Sequence, residues 1–329
     1  MNDDATVLYP LSFTPVYKDY LWGGDRIPKR YRREAPPGPC AESWEVSARP
    51  EGMSVVADGP LQGRTLEDLV RTFGRRLLGD SAPEGRFPLL VKLIDARERL
   101  SVQVHPSDAS AREHGGEAKT EAWHILEAAP GAGVFAGLRP DVTPEAFAQA
   151  VREGGGADLL RRIDVQAGDT VFIPGGLVHA IDAGCLLLEV QQNSDTTWRL
   201  YDWDRRGPDG KPRELHIEQG LAVLDPAPAV DPLCAPVPLP PQGASTRARL
   251  VACDHFALER VETRARWTPA ARKEAFEIWF LADGAGAVEW TEGRRPVAAG
   301  TSLLIPAETH GLCFVPADRE AVLLRIALP

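Results

Sequence analysis

Two distant stretches of this chain follow one plan: AGDTVFIPGGLVHAI at 167–181 and AGTSLLIPAETHGLCF at 299–314. Each starts with Ala-Gly, runs four residues to Ile-Pro, and reaches a histidine, His179 five residues past Pro174 and His310 four past Pro306. The glycine suits a turn and the apolar run suits a buried strand. Proline, which cannot donate to a ladder, closes it. Each copy is preceded by a second matched strand, EAWHILEA at 121–128 and FEIWFLADG at 276–284. A unit used twice in this way predicts two β-barrel domains related by duplication.

Other segments agree. PLLVKLI (88–94), SVQVH (101–105) and CLLLEVQQ (185–192) are short, apolar and bounded by turn residues, as strands should be. Helical spacing is rarer. Leu66, Leu69, Val70, Phe73 and Leu77 recur on one face with Thr65 as cap, and Thr143-Pro144 opens a second helix. A third is expected to begin at Ser107. At 329 residues the chain can hold two compact units. Residues 224–244 are dense in proline and read as an extended linker. The expected division is therefore residues 1–230 with helical insertions, a linker at 231–244, and a smaller barrel at 245–329.

Charge narrows the partners. With 37 Lys+Arg against 47 Asp+Glu the formal charge is -10, which disfavours nucleic acid and anionic membranes. A few local cations could still hold a small anion. No apolar run approaches the ~18 residues of a membrane span, and MNDDATVLYPLSF has acids where a secretion signal needs bases. The five cysteines are scattered and form no CxxC pair, which suits a reducing compartment and gives no thiolate metal site. The expectation is a soluble cytoplasmic protein.

SVQVHP (101–106) is the unusual strand. Alternation places Ser101, Gln103 and His105 on one face and Val102 and Val104 on the other, and the valine face is expected to anchor in the barrel core. With Glu121 at the start of the next matched strand and His179 after the repeat's proline, the first copy offers four metal-capable groups: Gln103, His105, Glu121 and His179. Two imidazoles and a carboxylate form a divalent-metal donor set that leaves positions open. His310 in the second copy has no Q-x-H partner, so that barrel is expected to be metal-free. His124, His216 and His255 read as structural, His114 as a solvated helix residue, Trp22 as a turn packed on the barrel and Trp44 as core.

LSVQVHPSD, KTEAWHIL, IPGGLVHAI and DTTWRLYDWDR together resemble the type I phosphomannose isomerase family. PVYKDYLWGGDRI (15–27), ESWEVS (42–47) and RELHIEQGLAVLD (213–225) extend the likeness over roughly residues 8–225. The resemblance implies a mainly β fold of two cupin-type jelly-roll barrels. It also implies one zinc ion per chain on Gln103, His105, Glu121 and His179. Ser101, Lys119 and Arg199 would contact the substrate, with Arg199 and Lys119 also serving catalysis. Glu189, ten residues before Arg199, would be a candidate base. The reaction implied is the interconversion of mannose 6-phosphate and fructose 6-phosphate through a cis-enediol.

The chemistry suits these residues. Moving a proton between C1 and C2 needs a base, stabilisation of the developing oxyanion, and a clamp on the remote phosphate. Lys119 offers a compact charge and Arg199 a planar fork. Apolar neighbours in CLLLEVQQ would raise the Glu189 pKa by burial. Arg199 also stands among Asp195, Asp202, Asp204 and Arg205, where a structural ion-pair network is the competing reading. Rival functions are an iron-dependent cupin oxygenase, against which Lys119 and Arg199 argue, and a non-catalytic sugar-phosphate-binding cupin. The expected partner is a small phosphorylated sugar. Nothing in the sequence specifies an oligomeric state.

Overall fold

The computed structural model describes residues 6–80, 85–225, 231–269, 275–317 and 319–329. The chain divides into two compact units. One comprises Met1–Val16, Trp44–Leu90 and Ala235–Pro329; the other comprises Tyr17–Ser43 and Val91–Cys234. Both are mainly β.

The second unit is built on two sheets. Seven strands lie in the order Leu233–Cys234, Thr170–Ile173, Glu121–Ala128, Cys185–Gln192, Leu89–Ala96, Glu42–Val46 and Val16–Lys18. Five more lie in the order Trp198–Tyr201, Val102–Val104, His179–Ile181, Gly133–Leu138 and Leu160–Asp164. Among the described residues the strands group into separate sheets, and no ladder closes on itself. Apolar side chains from both sheets meet in one core, including Trp123, Ile125, Ile173 and Leu187 from the first and Val134, Ala136 and Ile181 from the second.

The opposite face of the five-stranded sheet is covered by helices. Val102, Val104, Val178, Ala180 and Leu200 pack there with Phe147 and Val151 of the helix Pro144–Arg152 and Val223 of the helix Ile217–Val223. The alternation read in SVQVHP is therefore real, but Val102 and Val104 point away from the core between the sheets. Removing a fully buried side chain such as Phe147 from water is worth about 1.5–3 kcal/mol, which makes the helical cover integral to this sheet.

The expected caps are present. Thr65 and Thr143 accept from Asp68 N and Ala146 N at the starts of Leu66–Phe73 and Pro144–Arg152. Ser107 and Ser110 form a reciprocal capping box that starts Asp108–His114 directly after Pro106.

In the other unit a six-stranded sheet runs Val237–Gln242, Ser245–Ala252, Ala257–Thr263, Ala321–Ala327, Glu277–Asp283 and Ser302–Ile305. A three-stranded sheet joins Gly293–Ala298, Ala285–Trp290 and Cys313–Pro316. Trp267, Trp279, Leu323, Ile305 and Phe314 are central to its core. The proline-rich stretch is partly strand. Leu233–Cys234 pairs with Thr170–Ile173, and Val237–Gln242, with Pro238, Pro240 and Pro241, lies at a sheet edge. An edge tolerates proline because one side of the strand has no partner to receive an N–H. Residues 226–230 of that stretch lie outside the described residues.

Candidate metal and sugar-phosphate site

The repeat's Ile-Pro-Gly-Gly loop brings the histidine segments together. An added Cβ at Gly175 would lie 2.5 Å from Ser107 Cα and 2.6 Å from Pro106 O, so only glycine permits this approach. Gly176, at φ 95°, donates its N–H to His105 O at 2.7 Å. The strand His179–Ile181 then pairs with Val102–Val104, placing His179 opposite Gln103. Glu121 reaches the same point from the seven-stranded sheet.

His105, Glu121 and His179 are almost completely buried, and their ligand atoms all lie within 4.8 Å of one another. His105 Nε2 is 3.6 Å from Glu121 Oε2, and His179 Nε2 is 3.4 Å from Glu121 Oε1. The outer ring nitrogens are committed: His105 Nδ1 lies 2.9 Å from Thr196 O, and His179 Nδ1 lies 2.8 Å from Leu177 O. In neutral rings those contacts place the proton on Nδ1 and turn the Nε2 lone pairs toward the carboxylate. Gln103 completes the group, its amide nitrogen 3.3 Å from His179 Nε2. A half-turn of that planar amide presents Oε1 instead.

These residues fit a divalent cation. His105 Nε2 and both Glu121 oxygens are buried without a hydrogen-bond partner, an arrangement that is costly unless something else satisfies it. Lys119 Nζ stands 3.1 Å from Glu121 Oε2 as an ion pair. Burial, and then the positive charge of Lys119, hold His105 well below the usual histidine range. Burial brings His179 to about 4. Both rings are thus neutral, as metal ligands must be. Burial pushes Glu121 up to about 7 despite Lys119, so an additional cation would favour its ionised form.

A cavity of about 310 Å³ opens beside this cluster. Ser101, Gln103, Lys119, Glu189 and Arg199 all line it. Arg199 donates from Nε to Ser101 Oγ at 3.3 Å and from Nη1 to the Glu214 carbonyl at 2.9 Å. Among the described residues its guanidinium has no carboxylate partner; Asp202 instead binds Arg205 and Arg213. Burial, then the neighbouring Arg213, lower the Arg199 pKa.

Glu189 accepts from Trp123 Nε1 at 3.1 Å and lies 3.4 Å from Lys92 Nζ. Burial alone would raise its pKa, but Lys92 and Lys119 outweigh burial and leave it below the ordinary glutamate value. The sequence reading expected the opposite direction because it weighed apolar neighbours without the buried ammonium. Lys92 also lies 3.7 Å from Glu42, and those carboxylates outweigh burial and raise its pKa.

The cavity contains residues that sequence reasoning left out. Trp22, read as packing, lines it with Tyr20, and His216 and Arg213 complete another wall. Glu42, Lys92, Asp195 and Thr197 line it as well. The available signal for Lys92 was a charge inside an apolar run, VKLI, since lysine is seldom fully buried unless paired.

The family described as phosphomannose isomerase type I, catalytic domain, matches residues 11–124. The mannose-6-phosphate isomerase of Streptococcus mutans is 43% identical over 216 residues, 65% of this chain and 67% of its own. Mannose-6-phosphate isomerase ManA of Bacillus subtilis is 42% identical over 218 residues, 66% of this chain and 68% of its own. A crystal structure of mannose 6-phosphate isomerase from Bacillus subtilis superposes with a TM-score of 0.87 at 31% identity, covering 97% of this chain and 99% of that one.

Proposed function

The chain belongs to the type I phosphomannose isomerase family, and from that premise we propose how it acts as a mannose-6-phosphate isomerase. It interconverts mannose 6-phosphate and fructose 6-phosphate. The observation that carries the mechanism is the buried His105–Glu121–His179 cluster, with unsatisfied atoms turned toward one another, beside a cavity that presents Lys119 and Arg199.

His105, Glu121, His179 and Gln103 would hold one zinc ion. When bound it would act as a Lewis acid toward the sugar's oxygens. The remaining work belongs to the chain. Glu189 is ionised at neutral pH because Lys92 and Lys119 outweigh burial, and it is our candidate to carry the proton between C1 and C2. Trp123 fixes its orientation. Arg199, held by Ser101 and the Glu214 carbonyl, has donor capacity left for the oxygens that gain charge in an enediol. Ser101 and Lys119 would contact substrate, with Lys119 acting as a compact charge toward the phosphate. No described helix is long and apolar enough to cross a membrane, and we infer no nucleic-acid partner.

Assaying fructose 6-phosphate formation before chelation, after chelation and after zinc re-addition tests this reading. Turnover should disappear and return with the metal. His105→Ala should lose metal and activity together, and a folded His105→Ala variant that retains both would overturn the assignment.

A further inference from the structure

The His105 ring is aimed by a carbonyl that lies in neither a strand nor a helix. Thr196 O, 2.9 Å from His105 Nδ1, belongs to the irregular segment before Trp198–Tyr201. Side-chain and turn contacts must therefore fix its position, and several converge on Glu117. The Glu117 N–H donates to Thr196 Oγ1 at 2.9 Å. Its carbonyl accepts from Ser194 Oγ at 3.1 Å, and its carboxylate accepts from Asp195 N at 3.3 Å. Ser194 Oγ also accepts from Thr196 N at 3.2 Å. Gly116, at φ 80°, makes the approach possible, since an added Cβ would lie 3.0 Å from Thr196 Cγ2.

We propose that Glu117, Ser194 and Thr196 form a clasp that positions the metal ligand His105, with Thr196 the central positioning residue. The clasp joins two parts of the site. Glu117 precedes Lys119 and Glu121 on the approach to the ligand strand, so one loop leads directly to one ligand and fixes the orientation of another. Thr196 is flanked by Asp195 and Thr197, both on the cavity wall. Metal geometry and the substrate wall are thus set by the same five-residue segment, 193–197.

The inference rests on the reading that His105 holds a metal. Thr196→Val keeps nearly the same shape and removes the acceptor for Glu117 N–H; Thr196→Ser keeps the acceptor. Metal affinity is measured by competition between the full-length protein and a chromophoric chelator, with zinc and separately with cobalt. The visible bands of the cobalt form report ligand geometry independently of turnover.

Thr196→Val should weaken metal binding roughly 10–100-fold, the usual effect of losing an outer-shell partner, and shift the cobalt bands. Thr196→Ser should stay close to the parent. At saturating metal, Thr196→Val should lower kcat more than it raises KM, because the clasp aims a metal ligand. Parental affinity and cobalt bands in Thr196→Val would overturn the proposal, as would equal impairment in the serine variant. If Thr196→Val does not fold, Ser194→Ala should move affinity in the same direction by less, and an unchanged value overturns the clasp. His105→Ala separates the two levels: retained metal there sinks the underlying reading, whereas lost metal there with an unaffected Thr196→Val sinks only the clasp.

Discussion

Glu121 and Glu277 hold the same place in the two copies of the repeat, and each copy meets the buried charge differently. Glu121 pairs in register with Ile173, and Glu277 with Ile305, the isoleucine of each Ile-Pro. Two residues later each strand carries a buried tryptophan, Trp123 or Trp279. On the neighbouring strand the residue opposite that tryptophan is Glu189 in one copy and Arg325 in the other. Arg325 grips Glu277 through Nε at 2.9 Å and Nη2 at 2.6 Å, and Trp279 Nε1 donates to the same carboxylate at 2.8 Å. In the candidate metal-site copy, Trp123 donates to Glu189 instead, and Glu121 keeps the Lys119 ion pair at 3.1 Å in place of a guanidinium grip. One frame therefore supplies an internal guanidinium, while the other pairs its carboxylate with a single ammonium and turns it toward two neutral imidazoles.

Replacing each glutamate breaks that comparison most directly. Glu121→Gln should abolish metal retention and lower turnover by more than the roughly 100-fold that even an outer-shell change can cost. Its metal-free form should lose less stability than Glu277→Gln, because Glu121 has one ion pair, with Lys119, where Glu277 is gripped by two guanidinium nitrogens. Glu277→Gln should instead cost roughly 3–5 kcal/mol, the penalty for breaking a buried ion pair, tempered by the Arg325 contact with Glu259 at 3.1 Å. Its metal content should not change. Urea denaturation of both variants, with metal analysis, checks the pair. Equal losses of stability would show that the two carboxylates are compensated alike.

Arg199→Ala should act at the next level. The metal stays, because Arg199 pairs with Gln103 through backbone and its side chain reaches that ligand only by way of Ser101, while kcat falls roughly 10²–10³-fold as an oxyanion donor is lost. Loss of metal in this variant would mark the arginine as structural. Lys119 is smaller in effect. It stands two residues before Glu121, where the other copy has Ala275, so it is a cation peculiar to the candidate metal-site copy. Lys119→Ala should raise KM for mannose 6-phosphate about tenfold, the lower range for a hydrogen bond to a charged group. An unchanged KM would place the phosphate elsewhere.

The convergence of His105, Glu121 and His179 was legible because it depends on local rules. Period two put Gln103 and His105 on one face, and the repeated Ile-Pro located His179 near them. The same rule could not say what covers each face, so Val102 and Val104 were assigned to the core between the sheets although helices cover them. The buried charges of Glu42, Lys92 and Glu189 were illegible for another reason. Their strands are far apart in sequence, and the ion pairs exist only once Cys185–Gln192, Leu89–Ala96 and Glu42–Val46 lie side by side. Trp22 was missed because a Trp-Gly-Gly turn reads as packing until its loop is seen against the cavity.

Glu189 gives the subtlest test of the comparison, since its counterpart Arg325 is held protonated by Glu277 and Glu259 despite burial. Burial raises the Glu189 pKa, yet Lys92 and then Lys119 bring it below the ordinary value of 4.5. A depressed carboxylate is ionised at neutrality, and its contribution is lost as pH falls through the folded-state value. If Glu189 is the base, the acid limb of kcat/KM therefore lies below pH 4.5. Lys92→Met removes the nearest opposing charge and leaves burial in control, so the limb should move to higher pH, lowering kcat/KM at a fixed pH on the limb. Metal content measured at each pH separates this shift from protonation of the histidine ligands. A limb that stays in place in metal-loaded Lys92→Met would mean that another group carries the proton, and the contrast between Glu189 and Arg325 would then concern packing alone.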